Sequence, residues 1–295
     1  QYVSQLFQPL IDVTQNFATL QTSTISAGRV FEVMDRSDKD PKQVGSRKEI
    51  ERGDIRFEQV SFSYDGKRDV LKDISFEVKN GETIAFVGHT GSGKSSIINL
   101  FMRFYEFDRG RILIDGYDIK DYSQEALRNA IGLVLQEAFL YHGTIASNIR
   151  MYHEELSDEK IQEAAEFVDV ADFIESLPDG YDHPVTERGS TLSTGQRQLL
   201  AFARTIAAQP KILILDEATA NIDQETEELI QNSLKKMRQG RTTIAIAHRL
   251  STIQDATCIY VLEKGRIIEA GNHEQLITLG GTYKKMYDLQ AGMMK

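Results

Sequence analysis

The sequence predicts an α/β fold: a mostly parallel sheet covered on both faces, led by an antiparallel β subdomain and interrupted by an inserted α-helical subdomain. Three observations carry this. Alternating apolar residues open the domain beyond Asp54. Four short apolar segments, 83–87, 131–135, 212–215 and 243–247, read as fully buried strands, and helical patterns separate them. The stretch from 137 to about 209 holds helical candidates such as 158–170 and no convincing buried strand.

Taken in order, residues 1–35 place Val3, Leu6, Phe7, Leu10, Phe17 and Leu20, then Val30, Phe31 and Val33, mostly at the spacings of one helix face, with Pro9 bending that helix or marking a start. Two readings stand: a helix capping the domain's own core, or the severed end of a larger helical region. Residues 36–53 are charged and broken by Pro41, Gly45 and Gly53, the pattern of a linker. Ile55, Phe57, Val60, Phe62 and Tyr64 then alternate with one slip, and Ile74, Phe76 and Val78 lead to Asn80-Gly81, a pair suited to a hairpin with positive φ. A last hairpin turns at Lys264-Gly265, so the main domain runs from 54 to about 280, and a polar helical tail occupies 281–295. There is no internal repeat and no low-complexity run.

Composition bounds the function. Lys plus Arg number 34 against 44 Asp plus Glu, a formal charge of −10. That sign opposes broad neutralisation of nucleic-acid phosphates. The single cysteine, Cys258, cannot pair within the chain, reads as a small buried residue of a strand, and fits a reducing setting. No apolar run is long enough to span a bilayer, and a chain that starts at Gln1 reads as a piece of something longer.

The chemistry starts at Gly88-His89-Thr90-Gly91-Ser92-Gly93-Lys94-Ser95, which fits GxxxxGK[ST] directly after one predicted strand and directly before a helical run. Glycines let the backbone wrap an anion with its N–H groups turned inward, and the helix N-terminus adds favourable partial charge. Lys94 can reach the β and γ phosphates, and Ser95 can ligate Mg²⁺. Farther on, Ile212-Leu213-Ile214-Leu215-Asp216-Glu217 delivers two adjacent carboxylates to the C-terminal end of a strand, the edge at which open parallel sheets bind ligands. Asp216 is placed for the Mg²⁺ shell, and Glu217 to orient or deprotonate an attacking water. Alone, such a pair also reads as an acidic helix cap.

With these residues in view the chain resembles the ATP-binding cassette ATPases, in particular the nucleotide-binding domain of an exporter-type transporter, over roughly residues 55–275. The most specific sign is Leu192-Ser193-Thr194-Gly195-Gln196, close to the family's LSGGQ signature and lying between the two phosphate-site motifs. The resemblance implies a P-loop NTPase, RecA-like core and an Mg-dependent ATPase, with ATP and Mg²⁺ as its cofactors. It implies that Tyr64 stacks on adenine, that Gly88 through Ser96 cradle phosphates, and that Gln136 reaches both the metal and the nucleotide. Ser193, Gly195 and Gln196 would grip the γ-phosphate of a nucleotide held by another chain, and His248 would be the switch histidine. The catalytic set implied is thus Glu217, His248, Gln136 and Lys94, and the metal set Ser95, Gln136 and Asp216. Residues 220–223 resemble the loop that contacts the dimer partner, and 186–189 the exporter loop that faces transmembrane coupling segments. Each lesser match has a local reading too: Tyr64 as a half-buried strand aromatic, Gln136 as a polar strand end, His248 as a surface histidine, Asp223 as a helix cap.

The resemblance further implies two cassettes closing head to tail over two ATP molecules, a transmembrane domain fused upstream, a place on the cytoplasmic face of the cell membrane, and no nucleic-acid partner. Residues 1–35 resemble the tail of a last membrane helix and its connector. One departure stands out. The first signature glycine is Thr194, a β-branched residue that resists positive φ and keeps a ligand from the backbone. A heterodimer follows as one expectation, with this chain carrying the intact Lys94, Glu217 and His248, and a homodimer that tolerates Thr194 as the other. The rival function is a soluble cassette ATPase acting on nucleic acid or ribosomes, a class marked by coiled-coil or zinc-finger insertions or by two cassettes per chain; none is visible. A nucleotide-binding regulator without hydrolysis is disfavoured by Glu217. Multidrug, lipid, peptide and metabolite cargo all stay open.

Overall fold

The computed structural model describes residues 2–35, 45–151, 153–216, 224–247 and 249–292. The chain divides into two compact units, 1–43 and 44–295. Among its described residues the first holds one helix, α1 (Tyr2–Met34), with Pro9 inside it. Phe7, Leu10, Phe17 and Leu20 on it are exposed. Among the described residues no helix is long and apolar enough to cross a membrane.

The second unit is built on two sheets. The smaller is antiparallel, in the order β2 (Leu71–Val78), β1 (Ile55–Phe62), β4 (Arg109–Ile114), β5 (Tyr117–Asp118). The slip in the alternation of β1 is a bulge: the register with β2 breaks between Phe57 and Val60, where Gln59 takes a φ of 50°. The larger sheet runs β12 (Arg266–Gly271), β11 (Cys258–Glu263), β3 (Thr83–Val87), β10 (Thr242–Ile246), β9 (Ile212–Asp216), β6 (Ile131–Val134). Only the β11–β12 pair is antiparallel. That pair is the expected hairpin, with Lys264 at φ 50° and Gly265 at φ 80°, both central residues left-handed as a primed turn requires.

This sheet separates two cores, and the alternation along its strands decides which residue feeds which. Ala85, Val87, Leu213, Leu215, Ala245 and Val261 point to one side, where they meet α4 (Ile145–Arg150), α5 (Asp158–Phe167), α6 (Ala171–Glu175), α7 (Thr194–Ala207) and α8 (Gln224–Arg238). Ile84, Phe86, Ile212, Ile214, Ile244 and Ile246 point to the other, where they meet the antiparallel sheet, α2 (Lys94–Phe101) and α3 (Gln124–Ala130).

Several expectations need correction. Asn80-Gly81 does not close a hairpin, although Gly81 has the positive φ of 78°. β2 pairs with β1 and β3 with β10, so the turn carries the chain from one sheet to the other. Segment 131–135 is not fully buried: β6 is an edge strand, Gly132 and Leu133 are half-buried, and Leu135, past its end, is 51% exposed. The helical insertion contains a two-stranded ribbon, β7 (Gly143–Thr144) with β8 (Pro184–Val185). Cys258 is half-buried rather than buried, because it lies at the start of its strand. The C-terminal segment comprises α9 (His273–Leu279) and α10 (Thr282–Gln290), and it is more than a polar tail, since Tyr283 is wholly buried in the helical-side core.

Residues 45–54, read as the end of a linker, are fastened down. Asp115 accepts the backbone N–H groups of Glu51, Arg52, Gly53 and Asp54 at 2.8, 3.0, 2.8 and 2.9 Å. Arg47 lies over the ring of Tyr117 at 3.1 Å.

Candidate functional site

The parallel strands all end at one edge. In register, Ile246 of β10 faces Phe86 of β3 on one side and Asp216 of β9 on the other, and Leu215 of β9 faces Val134 of β6. The loop 88–93 therefore leaves the edge that Asp216 terminates, and Gln136 follows two residues past the end of β6. Glu217, His248 and residues 220–223 lie outside the described residues.

The loop is shaped by its glycines. Gly88 has φ 150°, and a Cβ there would lie 2.3 Å from the carbonyl oxygen of Leu262. Gly93, at φ 112°, is the left-handed N-cap of α2, whose first turn leaves backbone N–H groups for an anion. Lys94 is only 5% exposed, and its Nζ donates to the carbonyl oxygens of Gly88 at 2.7 Å and His89 at 3.2 Å. Ser92 Oγ is buried and has no hydrogen-bond partner among the described residues. A buried hydroxyl of that kind costs free energy unless a polar group meets it, so the loop fits a phosphate. Thr90, Gly91 and Ser95 are exposed beside it.

Tyr64 stands next to this helix. Its hydroxyl lies 3.0 Å from Ser96 Oγ and accepts from Asn99 Nδ2 at 3.2 Å, while its ring meets Phe62 and Tyr105 edge-on. The hydroxyl of Ser96, a residue expected to touch phosphate, is thus in contact with Tyr64. Tyr64 remains 48% exposed, enough to offer an aromatic surface near the loop.

The signature segment sits on the opposite face of the sheet, at the head of α7. Ser193 is the N-cap: its oxygen accepts the N–H of Gln196 at 3.1 Å, and Gln196 Oε1 accepts the N–H of Ser193 at 2.9 Å, a reciprocal capping box. Ser193 and Thr194 are exposed, Gly195 is buried and Gln196 is half-buried. Thr194 corrects an expectation. It is the first helical residue and is not among the residues with positive φ, so a β-branched side chain is not strained there. Its hydroxyl instead accepts from Arg197 Nη2 at 3.1 Å, a contact no glycine can make, while Arg197 Nη1 donates to Leu192 O at 2.6 Å. What Thr194 changes is the surface offered in front of the helix.

Two features of α7 escaped the sequence. Gln198, 2% exposed, donates to Leu135 O at 3.4 Å, next to Gln136. Arg204 donates to Asn148 O at 2.7 Å, to Phe139 O at 2.9 Å and to Asn148 Oδ1 at 3.2 Å. Burial lowers the pKa of its guanidinium. Helical spacing places both residues on the inner side of α7, but nothing local reveals their acceptors. Within the 186–189 stretch, Arg188 takes a left-handed φ of 60° and Thr186 Oγ1 lies 3.0 Å from Ser190 Oγ.

A glycine loop that closes on a buried lysine between a central strand and a helix, with an acidic residue ending the next strand but one, across β10, defines a P-loop nucleotide-binding domain. The helical insertion whose last helix, α7, is capped by Ser193 narrows the class, and the chain belongs to the ABC transporter family, as an ATP-binding domain: the family model described as ABC transporter matches residues 71–220. The chain is 70% identical over 294 residues to the ABC transporter ATP-binding protein exp8 of Streptococcus pneumoniae, covering 100% of this chain and 50% of that protein. It is 50% identical over 292 residues to YheH of Bacillus subtilis, named a probable multidrug resistance ABC transporter ATP-binding/permease protein, covering 99% and 43%. A solved structure of a bacterial Atm1-family ABC exporter with ATP bound superposes with a TM-score of 0.81 at 41% identity, covering 98% of this chain and 51% of that one. The chain spans about half the length of the relatives it matches.

Proposed function

We propose that this chain is the ATP-hydrolysing cassette of an ABC exporter, and that it works in a longer protein whose remaining part spans the membrane. The observation that carries the reading is the loop 88–95, in which Lys94 is buried against loop carbonyls and the Ser92 hydroxyl has no hydrogen-bond partner among the described residues, at the same strand edge as Asp216. A triphosphate seated there would draw the Lys94 ammonium from neutral carbonyls to phosphate oxygens and give Ser92 its missing partner. Mg²⁺, when bound, neutralises charge on the phosphate oxygens; Ser95 and Asp216, with Gln136, would hold it. Glu217 would orient or deprotonate the attacking water, and His248 would contact the γ-phosphate. Tyr64 would stack on adenine.

Ser193, Thr194 and the N-terminus of α7 face solvent, which suits docking on a nucleotide held by a second cassette. The partner is then a homologous subunit, and Thr194 favours an unlike one whose own nucleotide meets this altered signature. Export is preferred over action on nucleic acid or ribosomes by the net charge of −10 and by relatives that carry a permease in the same chain. In the full-length protein, Lys94→Ala should lower ATP affinity at least about tenfold, the loss expected when a buried charged donor is removed. Glu217→Gln should keep ATP binding and lose turnover. Undiminished binding and turnover in Lys94→Ala would end the proposal.

A further inference from the structure

The C-terminal helix is fixed at its first turn. Glu269 accepts the N–H groups of Thr282 and Tyr283, which are otherwise orphan donors of α10. Tyr283 is wholly buried, and its hydroxyl lies 2.8 Å from Nδ1 of His273 on α9. A helix held this way has a defined far end, and nine residues at 1.5 Å each carry it about 13 Å.

That far end is Gln290, and it reaches a backbone 40 residues away. Its Oε1 accepts the N–H of Leu250 at 2.8 Å. Leu250 begins a 3₁₀ turn, Leu250–Ile253, and a helical N-terminus has no internal acceptor for its first N–H groups. Arg249, the N-cap residue of that turn, makes no side-chain capping bond; its guanidinium is ion-paired with Glu227 of α8. Leu250 and Ile253 are themselves buried in the same core as Tyr283. The chain leaving β10 is therefore held at two consecutive residues, Arg249 by α8 and Leu250 by α10, and His248 is the residue immediately before them.

We propose that Gln290 is a positioning residue for ATP hydrolysis: it caps the turn after β10 and so fixes the backbone at Leu250, two positions after His248 in the sequence. This rests on the reading of His248 as the group that contacts the γ-phosphate. Gln290 belongs to the C-terminal segment beyond every nucleotide motif, and it acts through the Leu250 backbone without touching substrate. Loss of its acceptor releases one tether and leaves the phosphate loop untouched, so the effect falls on kcat and spares KM.

The test uses the full-length protein with Gln290→Ala, Gln290→Glu, His248→Ala and the double variant, each measured for ATPase kcat, KM for ATP and thermal stability. Gln290→Ala should lower kcat about tenfold, the worth of one well-made hydrogen bond, with KM within about twofold of the parent. Gln290→Glu keeps an acceptor and should recover most of the rate. On the residual turnover of His248→Ala, Gln290→Ala should cost nothing further, because both changes remove the same contribution. A parental kcat in Gln290→Ala, or equal losses in both backgrounds without recovery by Glu, overturns the inference. A His248→Ala protein that turns over at the parental rate is a separate result: it removes the role of His248 itself, whatever Gln290 does.

Discussion

Asp115 offers the sharpest test of how the stretch before β1 is held. Its carboxylate accepts four backbone N–H groups at 2.8 to 3.0 Å, two of them half-buried. Asp115→Ala removes all four acceptors. The two exposed N–H groups can return to water at about 0.5 kcal/mol each, and the two half-buried ones cost about 1 kcal/mol each or slightly more, giving a loss of about 3 kcal/mol. For a unit of this size that is a fall in Tm of about 6–12 °C. The backbone adds a second handle, since Asp115 sits at φ 51°, a left-handed conformation that alanine tolerates poorly and glycine freely. Asp115→Gly should therefore be about 0.5–1 kcal/mol less damaging than Asp115→Ala despite removing the same bonds. Asp115→Asn, which keeps one carbonyl oxygen, should fall between Asp115→Ala and the parent. Urea and thermal unfolding of the four proteins measure the series. A loss below about 1 kcal/mol in Asp115→Ala would refute the assignment of these bonds as the main anchor.

Other outcomes follow from the same geometry. Arg204→Ala strands the carbonyl oxygens of Phe139 and Asn148 and should cost about 3 kcal/mol by chemical denaturation; Arg204→Lys should not restore it, because an ammonium cannot span three acceptors. Thr194→Gly removes the hydroxyl that accepts from Arg197 and clears the space before α7, so it should change stability by no more than about 1 kcal/mol while raising ATPase turnover about twofold or more. Unchanged turnover would show that Thr194 does not impair the site. Burial pushes the Tyr283 phenol up to about 12, so the folded state retains its proton while the unfolded chain loses it near 10. Stability is present in full below pH 10 and is lost as pH rises through 10 to 12. Tyr122, also raised to about 12, chiefly by burial, adds to the same slope. Unfolding midpoints collected from pH 9 to 12 should show the decline, and Tyr283→Phe should flatten part of it.

Local chemistry decided which parts of the fold were legible in the sequence. The slip in the alternation of residues 55–62 is the bulge at Gln59, and Lys264-Gly265 is a tight hairpin, because both features are set by residues adjacent in the chain. The phosphate loop is legible for the same reason: its glycines, lysine and flanking elements are contiguous. Asn80-Gly81 reads identically to a hairpin turn, yet the strands on either side of it pair elsewhere, and pairing partners are not written in a turn. The burial of 131–135 depends on strand order, which puts β6 at an edge. The anchoring of residues 51–54 depends on a carboxylate more than sixty positions away. Thr194 stands where the resemblance places a glycine, and residue type alone does not carry the backbone conformation. A helix N-terminus accepts threonine without strain.

Arg204 has a mechanical corollary. Its planar fork pins the chain around Phe139 and Asn148 to the last turns of α7, while Ser193 caps the opposite end of that helix. Fourteen residues at 1.5 Å each make a rod about 21 Å long. The exposed aromatic pair Phe139 and Tyr141 at one end and the serine cap at the other are thus fastened to one continuous helix, so the spacing between them is set by its length.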